Sequence, residues 1–263
     1  MTCAIAFSQA RGVIAHLAVL AVLGPNADPW SGPPIWRDEF DKGRLDLTKW
    51  EPIDQVRTGG QSQWDPKMVD VRQGRLHIKI IKKKDGLPRY ISGAVRTRKN
   101  YDVNQTLFGK KYGYFECKAR LPKNLRMDTW FAFWMMTGDI RDGQDDSRKG
   151  TEIDIMESFF AFRGEINHAL HWGGYGAGHN GQSFPAKPAN ISDGEAHTYG
   201  LLWTPTKYTF YIDQKPTWTT DAIGLGEKST AKSQGVSQEA GYLKLSVEAA
   251  TWAGPTNGWD LEG

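Results

Sequence analysis

The sequence predicts an all-β protein, a sandwich or barrel formed as one large domain. Three observations carry that prediction. Apolar residues recur at every second position in short segments, the period of half-buried strands, and few stretches carry a helical period. Turn formers are plentiful, with 29 glycines and 13 prolines in 263 residues, and they punctuate those segments closely. The length suits a single unit, because all-β sandwiches of this size fold as one domain.

The elements follow in order. "PPIWRDEFDKGRLDLTKWEP" opens the domain, with Pro33 and Pro34 marking the linker before it. "VDVRQGRLHIKIIKK" puts Leu76, Ile78 and Ile80 on one side of a hairpin strand entered through Gly74, and the run Lys82 to Lys84 caps its end. "YISGAVRTR" reads as one strand, and "YGYFECKARLP" as another stopped by Pro122. "DTWFAFWMMTG" has two faces, Trp130, Ala132 and Trp134 on one and Phe131, Phe133 and Met135 on the other. The polar loop "GDIRDGQDDSRKG" leads to an acidic segment. "INHALHWGGYG", "HTYGLLWTPTKYTFYIDQKPTW" and "YLKLSVEAATW" supply further strands. There is no internal repeat and no low-complexity tract.

The acidic segment, "GTEIDIMESFF", interleaves Glu152, Asp154 and Glu157 with Ile153, Ile155 and Met156. Glu152 and Asp154 alternate with the isoleucines, so they share the wet face of a strand whose other face is buried. Glu157 breaks the alternation, because it lies an odd number of positions from Glu152. A regular strand would turn it into the core, where a lone carboxylate costs several kcal/mol or more. One extra residue, a β-bulge near Ile155 and Met156, returns Glu157 to the wet face, and such bulges are enriched beside active sites. Glu152 and Glu157 then stand about four strand steps apart, roughly 13 Å between Cα atoms. Leaning together, their carboxyl groups approach to roughly 5 Å, the spacing used by glycosidases that retain configuration. The plainer reading is a solvated edge strand with three acids, but crowded like charges are unfavourable unless used.

The face of "TWFAFWMM" that joins the acids follows from the core. If Phe131, Phe133 and Met135 pack with Ile153 and Ile155, then Trp130 and Trp134 line the same cleft as the carboxylates. Indoles beside a carboxylate pair form a sugar subsite, since a flat apolar ring stacks on the face of a sugar. The count of eleven tryptophans leans the same way, although tryptophan also fills cores.

Charge excludes one class of partner. Lys and Arg number 33 against 30 Asp and Glu, a net charge of +3 with no basic stripe, which is too balanced for nucleic-acid binding. "GAGHNG" at 176–181 fits G-x-G-x-x-G, but no buried parallel strand precedes it and no helix follows, so a dinucleotide site is unsupported. There is no G-x-S-x-G for a serine hydrolase. Near the N-terminus, Arg11 precedes an apolar stretch from Gly12 to Leu23 that is too short to span a bilayer. Residues 1–27 therefore read as a secretory signal and 28–263 as the mature domain, with an extracellular or periplasmic destination and no membrane contact once the signal is removed. A buried amphipathic helix is the other reading of that stretch. Of two cysteines, Cys3 leaves with the signal and Cys117 remains alone in a strand, so no disulfide staples the fold.

Taken together and in this order, the segments resemble glycoside hydrolase family 16, the laminarinase, lichenase, agarase and carrageenase group, from about Trp36 to Gly263. "WRDEFDKGRLDLTKW" is similar to the family's opening strand, "YGYFECKARLPK" to its central hairpin, and "TWFAFWMM" to its tryptophan strand. "HTYGLLWTPTKYTFYID" is similar to its late strand pair. "EIDIMES" matches the bulged form of its motif E-x-D-x-x-E. The resemblance implies a β-jelly-roll, a lectin-like sandwich of two curved antiparallel sheets with a substrate cleft on the concave face. It implies Glu152 as nucleophile, Glu157 as acid/base and Asp154 as the mediating carboxylate, the three titrating as a coupled set. It also implies a sugar contact for His171 of "ALHW". His168, an odd step away, faces the other sheet surface, so "HALH" is expected to be no metal site and His168 a core or interface residue.

The expected activity is endo-acting hydrolysis of a β-linked polysaccharide by a monomer, with β-1,3-glucan as first substrate and no required cofactor. A transglycosylase of the same family and a non-catalytic glycan-binding module are the rival readings. Several departures from the family pattern bear on it. Phe131 stands where Trp-Pro-Ala is common, and Ala94 stands where laminarinases often carry arginine. The family's last strand is expected to be lacking beyond "NGWDLEG". That strand often supplies a ligand to a structural calcium, to which Glu39 and the Gly74 carbonyl are the candidate contributors here.

Overall fold

A computed structural model describes residues 3–6, 18–20, 34, 36–57, 62–97, 111–122, 129–158, 164–187, 191, 193–225 and 232–249. Among them the only helix is a single 3₁₀ turn, Pro66–Met68, and the rest is strand and turn. Two large sheets face each other. One has seven strands in the order Asn180–Ala186, Ile166–Trp172, Gly150–Glu157, Thr129–Gly138, Gly241–Ala249, Ala94–Thr97 and Trp50–Pro52, every neighbour antiparallel. The other has eleven, with Gly113–Arg120 and Arg75–Lys82 near its middle and Lys215–Thr220 and Gln55–Val56 at its ends. Its one parallel pair joins Ser62–Trp64 to Tyr90–Ser92.

The core lies between the sheets and follows the alternation read from the sequence. Leu76, Ile78, Ile80 and Phe115 enter it from the larger sheet. Phe131, Phe133, Met135, Ile153, Leu243 and Leu245 meet them from the smaller. Each such side chain contributes roughly 1.5–3 kcal/mol by leaving water. Trp50 is held at the margin by Asp38, whose carboxylate accepts from the indole Nε1 at 2.9 Å and from the Phe40 amide at 2.9 Å. Cys117 is buried and free, as expected.

One predicted element divides. "YISGAVRTR" is two strands, Tyr90–Ser92 in the larger sheet and Ala94–Thr97 in the smaller, and the chain crosses between sheets at Gly93. A Cβ there would meet the Met68 carbonyl oxygen at 2.8 Å and methyl groups of Ile78 and Val69 at 2.9 Å, so only glycine fits the crossing. Alternation does not reveal such a switch, because both halves are buried.

Of the expected leader, only Cys3–Ala6 and Ala18–Leu20 are described. Their backbones pair with Arg75–Lys82 and Gly113–Arg120. The rest of it lies outside the described residues, as do 250–263.

Candidate active site

The acidic strand Gly150–Glu157 pairs on both sides, and both pairings slip at the same place. Against Thr129–Gly138, Asp154 faces Trp134 and Met156 faces Phe133, so Ile155 has no opposite residue. Against Ile166–Trp172, Asp154 faces Ala169 and Glu157 faces Asn167, so Ile155 and Met156 together oppose His168. This is a β-bulge where the sequence called for one. Ile153, Ile155 and Met156 consequently all enter the core. A bulge leaves backbone groups without ladder partners, and here the Ile155 carbonyl is bonded by His168 Nδ1 at 2.8 Å. His168 is fully buried, packs against Phe210 with its ring tilted, and meets Thr217 Oγ1 through Nε2 at 2.8 Å. Burial holds its pKa down to about 4, so the ring is neutral.

The three acids gather on the concave side, in the electrostatic reach of one another. One oxygen each of Glu152 and Asp154 and a ring nitrogen of His171 lie within 4.8 Å of each other, the one group of this kind among the described residues. His171 Nε2 is 3.3 Å from Asp154 Oδ2, and its Nδ1 is 3.2 Å from His179 Nε2. Asn167 Nδ2 donates to Glu157 Oε2 at 2.9 Å. The face is drier than alternation suggests: Asp154 is 3 % exposed and Glu157 5 %, while Glu152 stays half-buried. Alternation selects a face, whereas the covering of that face depends on neighbouring strands and loops. Burial pushes the Glu157 carboxyl well above the usual range, reinforced by the charges of Asp154 and Glu152 and opposed by His171 and the Asn167 amide. Burial raises Asp154 likewise, with Glu152 adding and Lys244 opposing.

Trp130 and Trp134 stand on this same face, in a second apolar cluster with Ile53, Trp64, Ala94, Ala132 and Met136. Trp130 is half-buried. Trp134 is 8 % exposed, its Nε1 donates to Ser246 Oγ at 3.0 Å, and Lys244 Nζ sits 4.0 Å from its ring centroid. Ala94 closes the floor beside them.

Four cleft residues escaped the sequence reading. Asn167 was reachable, since it lies four residues before His171 on the same strand and therefore on its face. The alternation of Tyr242, Lys244, Ser246 and Glu248 against Leu243, Leu245 and Val247 likewise signalled Lys244. Tyr175 and Asp142 carried no periodic signal, because both sit in loops. The Tyr175 phenol donates to Glu152 Oε2 and contacts Met136 Sδ at 3.8 Å. The residue is 61 % exposed, but its hydroxyl end is turned inward. Asp142 Oδ1 holds the loop by accepting from the amides of Tyr175 at 3.0 Å and Gly176 at 2.8 Å. Gly174, at φ +77°, permits that approach, because a Cβ there would lie 2.1 Å from Asp142 Oδ1.

The profile of "Glycosyl hydrolases family 16" matches residues 59–257. Over 207 residues the chain is 26 % identical to "Glucan endo-1,3-beta-glucosidase A1" of Niallia circulans, covering 69 % of this chain and 28 % of that protein. Over 110 residues it is 30 % identical to "Endo-1,3-1,4-beta-glycanase EglC" of Rhizobium meliloti (strain 1021), covering 40 % and 20 % respectively. The chain thus spans less than a third of the length of either relative. Among solved structures, the Bacteroides ovatus mixed-linkage glucan GH16 protein in complex with a G4G4G3G product superposes with a TM-score of 0.61 at 25 % identity, covering 82 % of this chain and 86 % of that one. By the extent of the profile match and the two-sheet fold that accompanies it, the chain belongs to glycosyl hydrolases family 16.

Proposed function

We propose that this chain is a secreted, endo-acting glycoside hydrolase that cleaves a β-linked polysaccharide with retention of configuration, β-1,3-glucan first among substrates. The observation that carries the reading is the bulge at Ile155, which lets Glu152, Asp154 and Glu157 share one dry cleft. The names of the Niallia and Rhizobium relatives, both endo-acting on β-1,3 or β-1,3-1,4 linkages, support the substrate class.

The chemistry needs one carboxylate to attack and one carboxylic acid to donate a proton. Glu152 is the nucleophile. It is the less buried of the outer pair, and it attacks the anomeric carbon as the glycosidic bond breaks. Glu157, kept protonated at rest by burial and by the charge of Asp154, gives its proton to the leaving oxygen. Ionised Glu157 then draws a proton from water, which attacks the glycosyl-enzyme ester and frees Glu152. Asn167 steadies the ionised form between these steps, since its amide donates to Oε2. Trp130 lines the cleft as a stacking surface, Trp134 forms part of its floor, and His171, against Asp154, contacts the sugar on the leaving side.

The test is proton NMR of laminarin hydrolysis. The β-anomer of the new reducing end should appear first and then mutarotate, and initial release of the α-anomer refutes retention. Glu152→Gln should lower turnover at least about 10³-fold while polysaccharide binding persists.

A further inference from the structure

Among the described residues, Arg57, Arg96 and Lys244 stand together on this face, and two of the three have carboxylate partners. Arg57 lies against Glu248 at 2.9 Å, with its guanidinium 3.9 Å from the Trp64 centroid. Arg96 grips both oxygens of Glu51 at 2.8 and 3.1 Å. Lys244 is different: among the described residues it forms no ion pair. Its ammonium instead lies over rings, 4.0 Å from the Trp134 centroid, 5.7 Å from Trp64 and 5.9 Å from Tyr242. The charges of Glu152 and Asp154 attract this largely desolvated ammonium while Arg57 and Arg96 repel it, and since neither acid pairs with it, a further anion closing on it would be favourable.

Its position matters as much as its charge. Trp134 pairs with Asp154 on one side and with Lys244 on the other, so Lys244 lies two strands from the acids. At ~4.8 Å per strand that is about 10 Å across the cleft floor, within reach of the next sugars of a chain crossing it. The Trp134 face that a neutral sugar would stack on is already taken by the lysine. Loss of the proton becomes easier there too, the pKa being pushed down to about 8 by burial, with Glu152 and Asp154 opposing and Arg57 and Arg96 adding.

We propose that Lys244, seated on Trp134 and flanked by Arg57 and Arg96, is a subsite for an anionic oxygen group, a carboxylate or a sulfate, borne by a sugar near the cleavage point. The substrate is then an acidic, substituted β-glycan in preference to a plain one. The subsite rests on the reading of this cleft as a polysaccharide site.

The experiment is affinity electrophoresis of the whole chain carrying Glu152→Gln, in gels of plain, carboxymethylated and sulfated β-1,3-glucan. Retention by one or both substituted polymers should exceed that by the plain polymer about tenfold, the size of one charge-assisted contact, and the stronger of the two identifies the group. Adding Lys244→Gln should remove most of that gain, while Lys207→Gln at an exposed turn keeps it. Equal retention by all three polymers, or equal losses on Lys244→Gln, overturns the subsite and leaves the polysaccharide reading standing. Retention by none of them overturns both.

Discussion

Asn167 faces Glu157 across the bulged pair and donates its amide to the Glu157 Oε2 at 2.9 Å, a neutral donor that opposes the effect of burial on that acid. The bond favours the ionised carboxylate. Asn167→Ala should therefore raise the Glu157 pKa further and move the alkaline limb of the pH–kcat/KM profile to higher pH, by about half a unit or more. A limb that stays in place would separate Glu157 from acid catalysis.

Tyr175 acts on the other outer acid. Its phenol donates to Glu152 from a loop held by Asp142. Tyr175→Phe should lower kcat/KM about tenfold, the usual worth of a hydrogen bond to a charged group, with thermal stability unchanged because the ring is largely exposed. Asp142→Ala should cost a similar factor, and the double variant little more than either alone, since both act through one phenol. Additive losses would argue against that coupling.

Glu157 illustrates a cost in stability. Its folded pKa is raised, so above about pH 4.5 the unfolded chain ionises while the folded one resists, and unfolding is favoured. Glu157→Gln should raise the melting temperature at pH 7, by about 2–4 °C for each kcal/mol relieved, and change it little at pH 4. Calorimetry at the two pH values reads the difference, and an equal shift at both would refute it.

His168 works in the opposite direction. Its pKa falls from 6.5 to about 4 on folding, so its contribution is complete above pH 6.5 and is lost as pH falls toward 4. That gap is worth on the order of 3 kcal/mol. Because His168 Nδ1 bonds the carbonyl of the bulge residue Ile155, acid also threatens the geometry of Glu157. Urea unfolding between pH 4 and 6.5 should show a steep loss in the parent chain and a flatter one in His168→Gln. Parallel slopes would remove His168 from the account.

Much of this was legible in the chain itself. The two-residue period of "TEIDI" and "TWFAFWMM" assigned strands, and the cost of burying Glu157 demanded a bulge near Ile155, because both follow from neighbours in sequence and from the expense of a buried charge. The same parity sent His168 to the core and His171 to the cleft side. Tertiary structure decided what depends on residues far apart in sequence. The sheet crossing at Gly93 is set by Met68 and Ile78, the dryness of Asp154 and Glu157 by the strands and loops around them, and the Tyr175–Glu152 bond by Asp142 in another loop. Lys244 belongs with these: its face was readable from alternation, but that it forms no ion pair among the described residues depended on Glu248 and Glu51 being claimed by Arg57 and Arg96. Local period fixes which way a side chain points; only packing determines what it meets there.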